Sequence, residues 1–218
     1  LACGTFAGWV NGFIITRFNV PPLIATLATL ALYRGLAEGI SEARSVRGYP
    51  EWFFFFGQGE ILGVPVQLWM LGIATVISAV ILGLSPFGSA TYAIGANETA
   101  ARFSGIRVHA TKLWIYTAAG FLSALAAIIF VSRVTTTRSD MGTGLELDVI
   151  TGVVLGGTSI FGGRGTIIGT VLGLVLIQAL KNGLSLSGVK GDGTIVVIGL
   201  VLIGAILAGA FFDKNRGG

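Results

Sequence analysis

Residues 91–112 read TYAIGANETAARFSGIRVHATK, a polar island between the apolar runs VQLWMLGIATVISAVILGL (66–84) and LWIYTAAGFLSALAAIIFV (113–131). Two membrane spans joined as a hairpin need only a few turn residues, and this connector has room for a helix of its own. Asn97 suits an N-cap, and Glu98 falls in the first turn, where the helix dipole favours an acid. Ala100 and Ala101 favour helix, and Gly105 suits a left-handed end. Glu98 and Arg102 lie four residues apart and can pair on one face. A compact helix tied to two spans is a docking handle for something soluble. The plainer reading is a surface helix that serves only solubility and topology.

Composition sets the class. Of 218 residues 53% are apolar, only 11% are charged, and 34 are glycine, with a mean hydropathy of +0.86. A soluble domain carries roughly a quarter charged residues, so the chain reads as all-α and polytopic, a bundle of transmembrane helices. The sequence pI near 9.6 does not indicate nucleic acid, because the 14 basic residues are scattered among loops. The single cysteine, Cys3, permits no disulfide within the chain. The chain opens without Met inside LACGTFAGWVNGFII (1–15), with no basic n-region or cleavage site of a signal peptide. That opening reads as the later part of a span and predicts a fragment of a longer protein.

Seven apolar segments follow in order, at 1–16, 22–40, 66–84, 113–132, 147–161, 165–182 and 194–212. Pro21 and Pro22 open the second, where missing amide donors cost least. The stretch 41–65 is long, charged and aromatic, and Glu51, Trp52 and the Phe53–Phe56 run suit a short helix at the lipid interface. Lysine and arginine do not decide orientation, since they divide seven against seven between the two sides.

Glycines recur every four residues at Gly4, Gly8 and Gly12, and again at Gly165, Gly169 and Gly173. Such stripes let another backbone approach closely, and helix packing is their ordinary role. Gly-Thr pairs open both stripes on helices of opposite sense, which suggests an inverted repeat. The segment GTGLELDVITGVVLGGTSIFGGRG (142–165) is read as a short or broken helix surrounded by protein. It is not a phosphate loop. From Gly157 the glycine spacing is met, but Gly163 and Arg164 stand where Lys and Ser or Thr are required.

Catalysis finds little support. The only histidine, His109, sits in the polar island and is read as a solvated loop residue. One histidine and one cysteine make no metal pattern, and Ser159 has no histidine in its own segment to activate it.

Several stretches agree, in order, with one family. AIGANETAARFSGI (93–106), the run from Gly142 to Thr170, NGLSLSGV (182–189) and VPPLIATLATLALYRGL (20–36) resemble permeases of the ribose, xylose, rhamnose and autoinducer-2 type of ABC importer. The resemblance covers almost the whole chain. It implies one permease domain, lacking N-terminal helices that family members carry, in a bacterial inner membrane. It also implies a second permease subunit, identical or related, and a pair of cytoplasmic ATPases that bind ATP and Mg. A periplasmic or lipid-anchored solute-binding protein would deliver the sugar; no nucleic acid takes part. On this reading 91–112 holds the cytoplasmic coupling helix, with Asn97, Glu98, Ala100, Ala101, Arg102 and Gly105 as its docking residues. Thr99 departs from the commonest form of that motif. The 41–65 stretch becomes a periplasmic loop.

Polar residues in or near spans that could line a path for a hydroxylated solute are Thr26, Thr29, Thr151, Gln178 and Asn182. Each could equally bond to backbone. Arg34 and Glu38 are expected to pair at the outer mouth. The alternative class is a secondary transporter or channel, which would want an ion-coupling carboxylate deep in a span, and Asp148 is the deepest candidate. A structural or signalling membrane subunit is a third class.

Overall fold

A computed structural model describes residues 1–42, 44–160, 162–189 and 191–214. Its helices are α1 (Ala2–Phe18), α2 (Pro22–Ser41), α3 (Glu51–Gln58), α4 (Val66–Leu84), α5 (Pro86–Ala96) and α6 (Glu98–Phe103). Then come α7 (Val108–Val134), α8 (Leu145–Leu155), α9 (Ile167–Leu186) and α10 (Gly191–Lys214). Two short strands, β1 (Glu60–Ile61) and β2 (Val64–Pro65), pair antiparallel between α3 and α4. By length and composition α2, α4, α7 and α9 can each cross a membrane.

The faces of these helices explain why. Along α4 the described side chains Leu68, Leu71, Ile73, Val76, Ile77, Val80, Ile81 and Leu84 are exposed, and only Val66 is buried. A helix apolar all round, with no protein against most of it, requires hydrocarbon as its solvent. Its 19 residues span about 28 Å, close to the thickness of a bilayer core.

The chain forms two compact units, and the division falls inside α4. In the first unit (Leu1–Ala74 with Gly105–Met141) α1 lies along α7. The glycine stripe makes this possible. A Cβ on Gly4 would stand 2.5 Å from the Cβ of Ala124, and Gly8 backs directly onto Tyr116 and Gly120. Gly12 meets the side chains of Leu113 and Tyr116. Tyr33 of α2 donates to the carbonyl of Ala7 at 3.2 Å. The helix expected in the aromatic stretch is α3, which rests on the end of α7: Ser132, fully buried, donates to Phe53 O at 2.6 Å. The β1–β2 hairpin was not legible beforehand. Leu62 and Gly63 at its turn both have positive φ, 55° and 74°, as a two-residue hairpin turn demands.

In the second unit (Thr75–Ser104 with Gly142 onward) α8 and α9 pack as a pair, and α10 packs on both. Gly152 and Gly156 of α8 and its end face Gly173 and Gly169 of α9; a Cβ on Gly173 would come 2.8 Å from Gly156 N. Gly165, expected to begin this stripe, lies ahead of α9 in a loop and abuts Thr158. The expected short helix is α8. Its 11 residues rise about 16 Å, roughly half a bilayer core. The loop after it bonds to itself, Ser159 N to Arg164 O at 2.9 Å and Gly162 N to Ser159 O at 3.2 Å.

Candidate functional site

The polar island resolves into three pieces rather than one. Residues 91–96 complete α5, 98–103 form α6, and 108–112 open α7. Ser85 caps α5 by accepting from Gly88 N at 3.2 Å, with Pro86 in the first helical position.

Asn97 is the joint. Its extended backbone (φ −158°, ψ 105°) breaks the helix, yet its N–H still donates to Ala93 O at 3.0 Å, closing α5. Its Oδ1 accepts from Ala100 N at 2.9 Å and its carbonyl accepts from Ala101 N at 3.0 Å, opening α6. One residue therefore ends one helix and starts the next. The expected pair forms: Arg102 Nη2 lies 3.6 Å from Glu98 Oε1. Both side chains are open to solvent, so the pair is worth only about 0.3–0.5 kcal/mol. Ser104 N closes the helix on Ala100 O at 3.0 Å, and Gly105 follows at φ 83°.

The two faces of α6 differ sharply. Ala101 is 4% exposed and Phe103 is 88% exposed. Phe103 escaped the sequence reading, which weighed the capping, charged and small residues of the helix. Its signal was a large apolar ring inside an otherwise polar stretch. Burying such a ring against a partner is worth about 1.5–3 kcal/mol.

Other expected residues fall elsewhere. Thr26 and Thr29 lie on α2, and their hydroxyls donate to Pro22 O at 2.9 Å and Thr26 O at 3.1 Å. Thr151 of α8 is fully buried and donates to Leu147 O at 2.6 Å. Gln178 and Asn182 are exposed on α9. Thr26 and Thr29 belong to the first unit; the other three belong to the second.

Two expectations are corrected. His109 is not a loop residue; it lies in the first turn of α7, and its Nδ1 bonds Thr16 O at 2.8 Å, tying α7 to the end of α1. Arg34 and Glu38 form no ion pair with each other among the described residues. Asp148, the deepest candidate for an ion-coupling carboxylate, has a counter-charge: Lys181 Nζ reaches its Oδ2 at 2.5 Å, with side chains 31% and 16% exposed. That neighbour sits on α9, 33 residues away, so no local spacing announced it.

The profile of the family described as branched-chain amino acid transport system / permease component matches residues 1–206. Among curated proteins, the chain is 45% identical to the ribose import permease protein RbsC of Bacillus subtilis, over 94% of this chain and 63% of that one. It is 37% identical to the L-arabinose transport system permease protein AraH of Escherichia coli K12, over 95% of this chain and 62% of that one. It is 35% identical to the autoinducer 2 import system permease protein LsrC of Photorhabdus laumondii, over 85% of this chain and 56% of that one. The chain thus spans less than two thirds of the length of these relatives. No solved structure matches it.

Proposed function

The chain belongs to the branched-chain amino acid transport system permease family, and from that premise we propose that it is the membrane-spanning part of an ATP-driven importer for a small sugar or sugar-like solute. The names of the relatives support this class: ribose, L-arabinose and autoinducer 2 are all compact and rich in oxygen. A pentose is the first choice, since both the ribose and the arabinose permeases align over nearly the whole chain.

The observation that carries the reading is α6, a capped helix that turns Phe103 and the Glu98–Arg102 pair outward. An ATPase on the cytoplasmic side receives this helix in a groove. Phe103 fills an apolar pocket, and the charged pair fixes orientation at the rim. This places 91–112 in the cytoplasm and 41–65 in the periplasm of a bacterial inner membrane. The chain works beside a second permease subunit and a pair of ATPases that bind ATP and Mg. A periplasmic or lipid-anchored protein presents the solute. Closure of the ATPases on ATP displaces α6, and the helices joined to it tilt between two packings that open to opposite sides. This chain performs no chemistry on the solute. Gln178 and Asn182, exposed on α9, supply amide groups for the path. The Lys181–Asp148 pair weakens the alternative of an ion-driven carrier, because that carboxylate already has a counter-charge.

The test is uptake of labelled ribose and arabinose by the full-length protein reconstituted with its ATPase and binding protein. ATP-dependent accumulation is expected. Accumulation driven by an ion gradient with ATP depleted would instead establish a secondary carrier.

A further inference from the structure

We propose that α5, α6 and the glycine loop ahead of α9 form one rigid lever, locked by a backbone clamp of Gly95 and Ala96 against Gly162 and Gly163. The clamp carries displacement of α6 into α8 and α9 by a route other than the covalent chain. The proposal rests on the docking reading of α6 and names its internal transmission.

The contact leaves no space for side chains. A Cβ on Gly95 would stand 2.5 Å from Gly163 N, one on Gly162 would stand 2.6 Å from Gly95 O, and one on Gly163 would stand 2.8 Å from Ala96 Cα. Gly162 and Gly163 also hold φ of 91° and 75°, which other residues adopt only under strain. Backbone pressed on backbone is stiff, since no flexible side chain can absorb a push. A hydrogen bond adds a second tie: Tyr92 of α5 donates to Gly165 O at 2.9 Å. Gly95, Gly162, Gly163 and Tyr92 also form part of the wall of a cavity of about 310 Å³, together with Thr91 and Thr170.

Both ends of the joint are rigid. Toward α6 stands only Asn97, hydrogen-bonded into both helices. Toward α9, Thr166 caps the helix by accepting from Gly169 N at 3.1 Å. Gly156 and Gly152 then press on Gly169 and Gly173, which passes the movement to α8 and to its buried Thr151. Packing of this kind switches between discrete arrangements rather than deforming gradually. Glycines serving stability alone would alter unfolding and leave coupling untouched.

Two measurements on the full-length protein, reconstituted with its bound ATPase, decide the matter. Spin labels at Ser89→Cys on α5 and Ile168→Cys on α9, in a Cys3→Ser background, report the distance across the clamp. The same distance in nucleotide-free and ATP-trapped states is expected; a distance that changes between them overturns the lever. Gly95→Val and, separately, Tyr92→Phe are expected to retain the ATPase while lowering uptake per ATP hydrolysed at least about fivefold, the lower end of ordinary site-to-site coupling. Unchanged uptake per ATP in both overturns the proposal, as does loss of the ATPase from the Gly95 variant. Should Gly95→Val fail to fold, Tyr92→Phe, which removes one hydroxyl, and the spin-label distance decide. Failure of docking itself is read separately: Phe103→Ala that keeps full ATPase affinity removes the docking reading, whatever the distance across the clamp.

Discussion

Ala101 and Phe103 sit two residues apart on α6 and face opposite ways, the first packed inward at 4% exposure and the second held out at 88%. On a helix of six residues this arrangement gives one supporting face and one presenting face. Phe103→Ala is therefore expected to weaken ATPase binding by about 10- to 150-fold, the value of about 1.5–3 kcal/mol of apolar burial. Thermal stability of the permease alone should not move. Titration of the ATPase onto nanodisc-held permease measures the first, and a melting curve the second.

The presenting face depends on the Asn97 joint. Asn97→Ala removes the acceptor for Ala100 N and is expected to cost about 1 kcal/mol of local helix stability, while Asn97→Ser keeps most of it. Hydrogen exchange of the amides of residues 100–104 reads this directly. Faster exchange in the Ala variant and near-normal exchange in the Ser variant are expected.

The α1–α7 contact makes a sharp contrast among glycines. Gly8→Leu forces a side chain into Tyr116 and Gly120 and is expected to destabilise by about 3 kcal/mol or more. Gly72 of α4 has nothing within 4 Å of its would-be Cβ, so Gly72→Ala is expected to be neutral or up to about 1 kcal/mol stabilising. Unfolding in detergent, followed by circular dichroism, compares the two.

Lys181 and Asp148 join α9 to α8. Lys181→Met leaves a partly buried carboxylate without its counter-charge, at a cost of roughly 1–3 kcal/mol, below that of a fully buried pair. Lys181→Met with Asp148→Leu is expected to recover most of the loss. The double-mutant cycle, read by melting temperature, fails the idea if the two losses simply add.

Segments whose boundaries are written in local chemistry were legible in the sequence. The apolar run 66–84 coincides with α4, and Pro21–Pro22 marks the start of α2, because apolarity and missing donors act at the residue itself. Elsewhere helix and apolarity part company. α7 begins at Val108, before the apolar run, since His109, Thr111 and Lys112 are compatible with helix while being polar. α5 was marked by Ser85 and Pro86, a cap and a first-turn proline, but the apolar pattern around it concealed the break. The site divided the same way. Asn97, Glu98, Arg102 and Gly105 belong to one short helix and its two ends, so their spacing reveals them. Asp148–Lys181 and Gly95–Gly163 join separate elements, and a single sequence holds no record of such meetings.

The most direct test places a thiol at the tip of α6. Phe103→Cys in a Cys3→Ser background, in the assembled transporter, is predicted to cross-link to the ATPase subunit with a short bifunctional reagent. Without the ATPase, it is predicted to react with a membrane-impermeant maleimide only in inside-out vesicles. Labelling from the outer side of sealed cells, with no cross-link to the ATPase, would contradict the assignment of α6 as the element through which the motor acts.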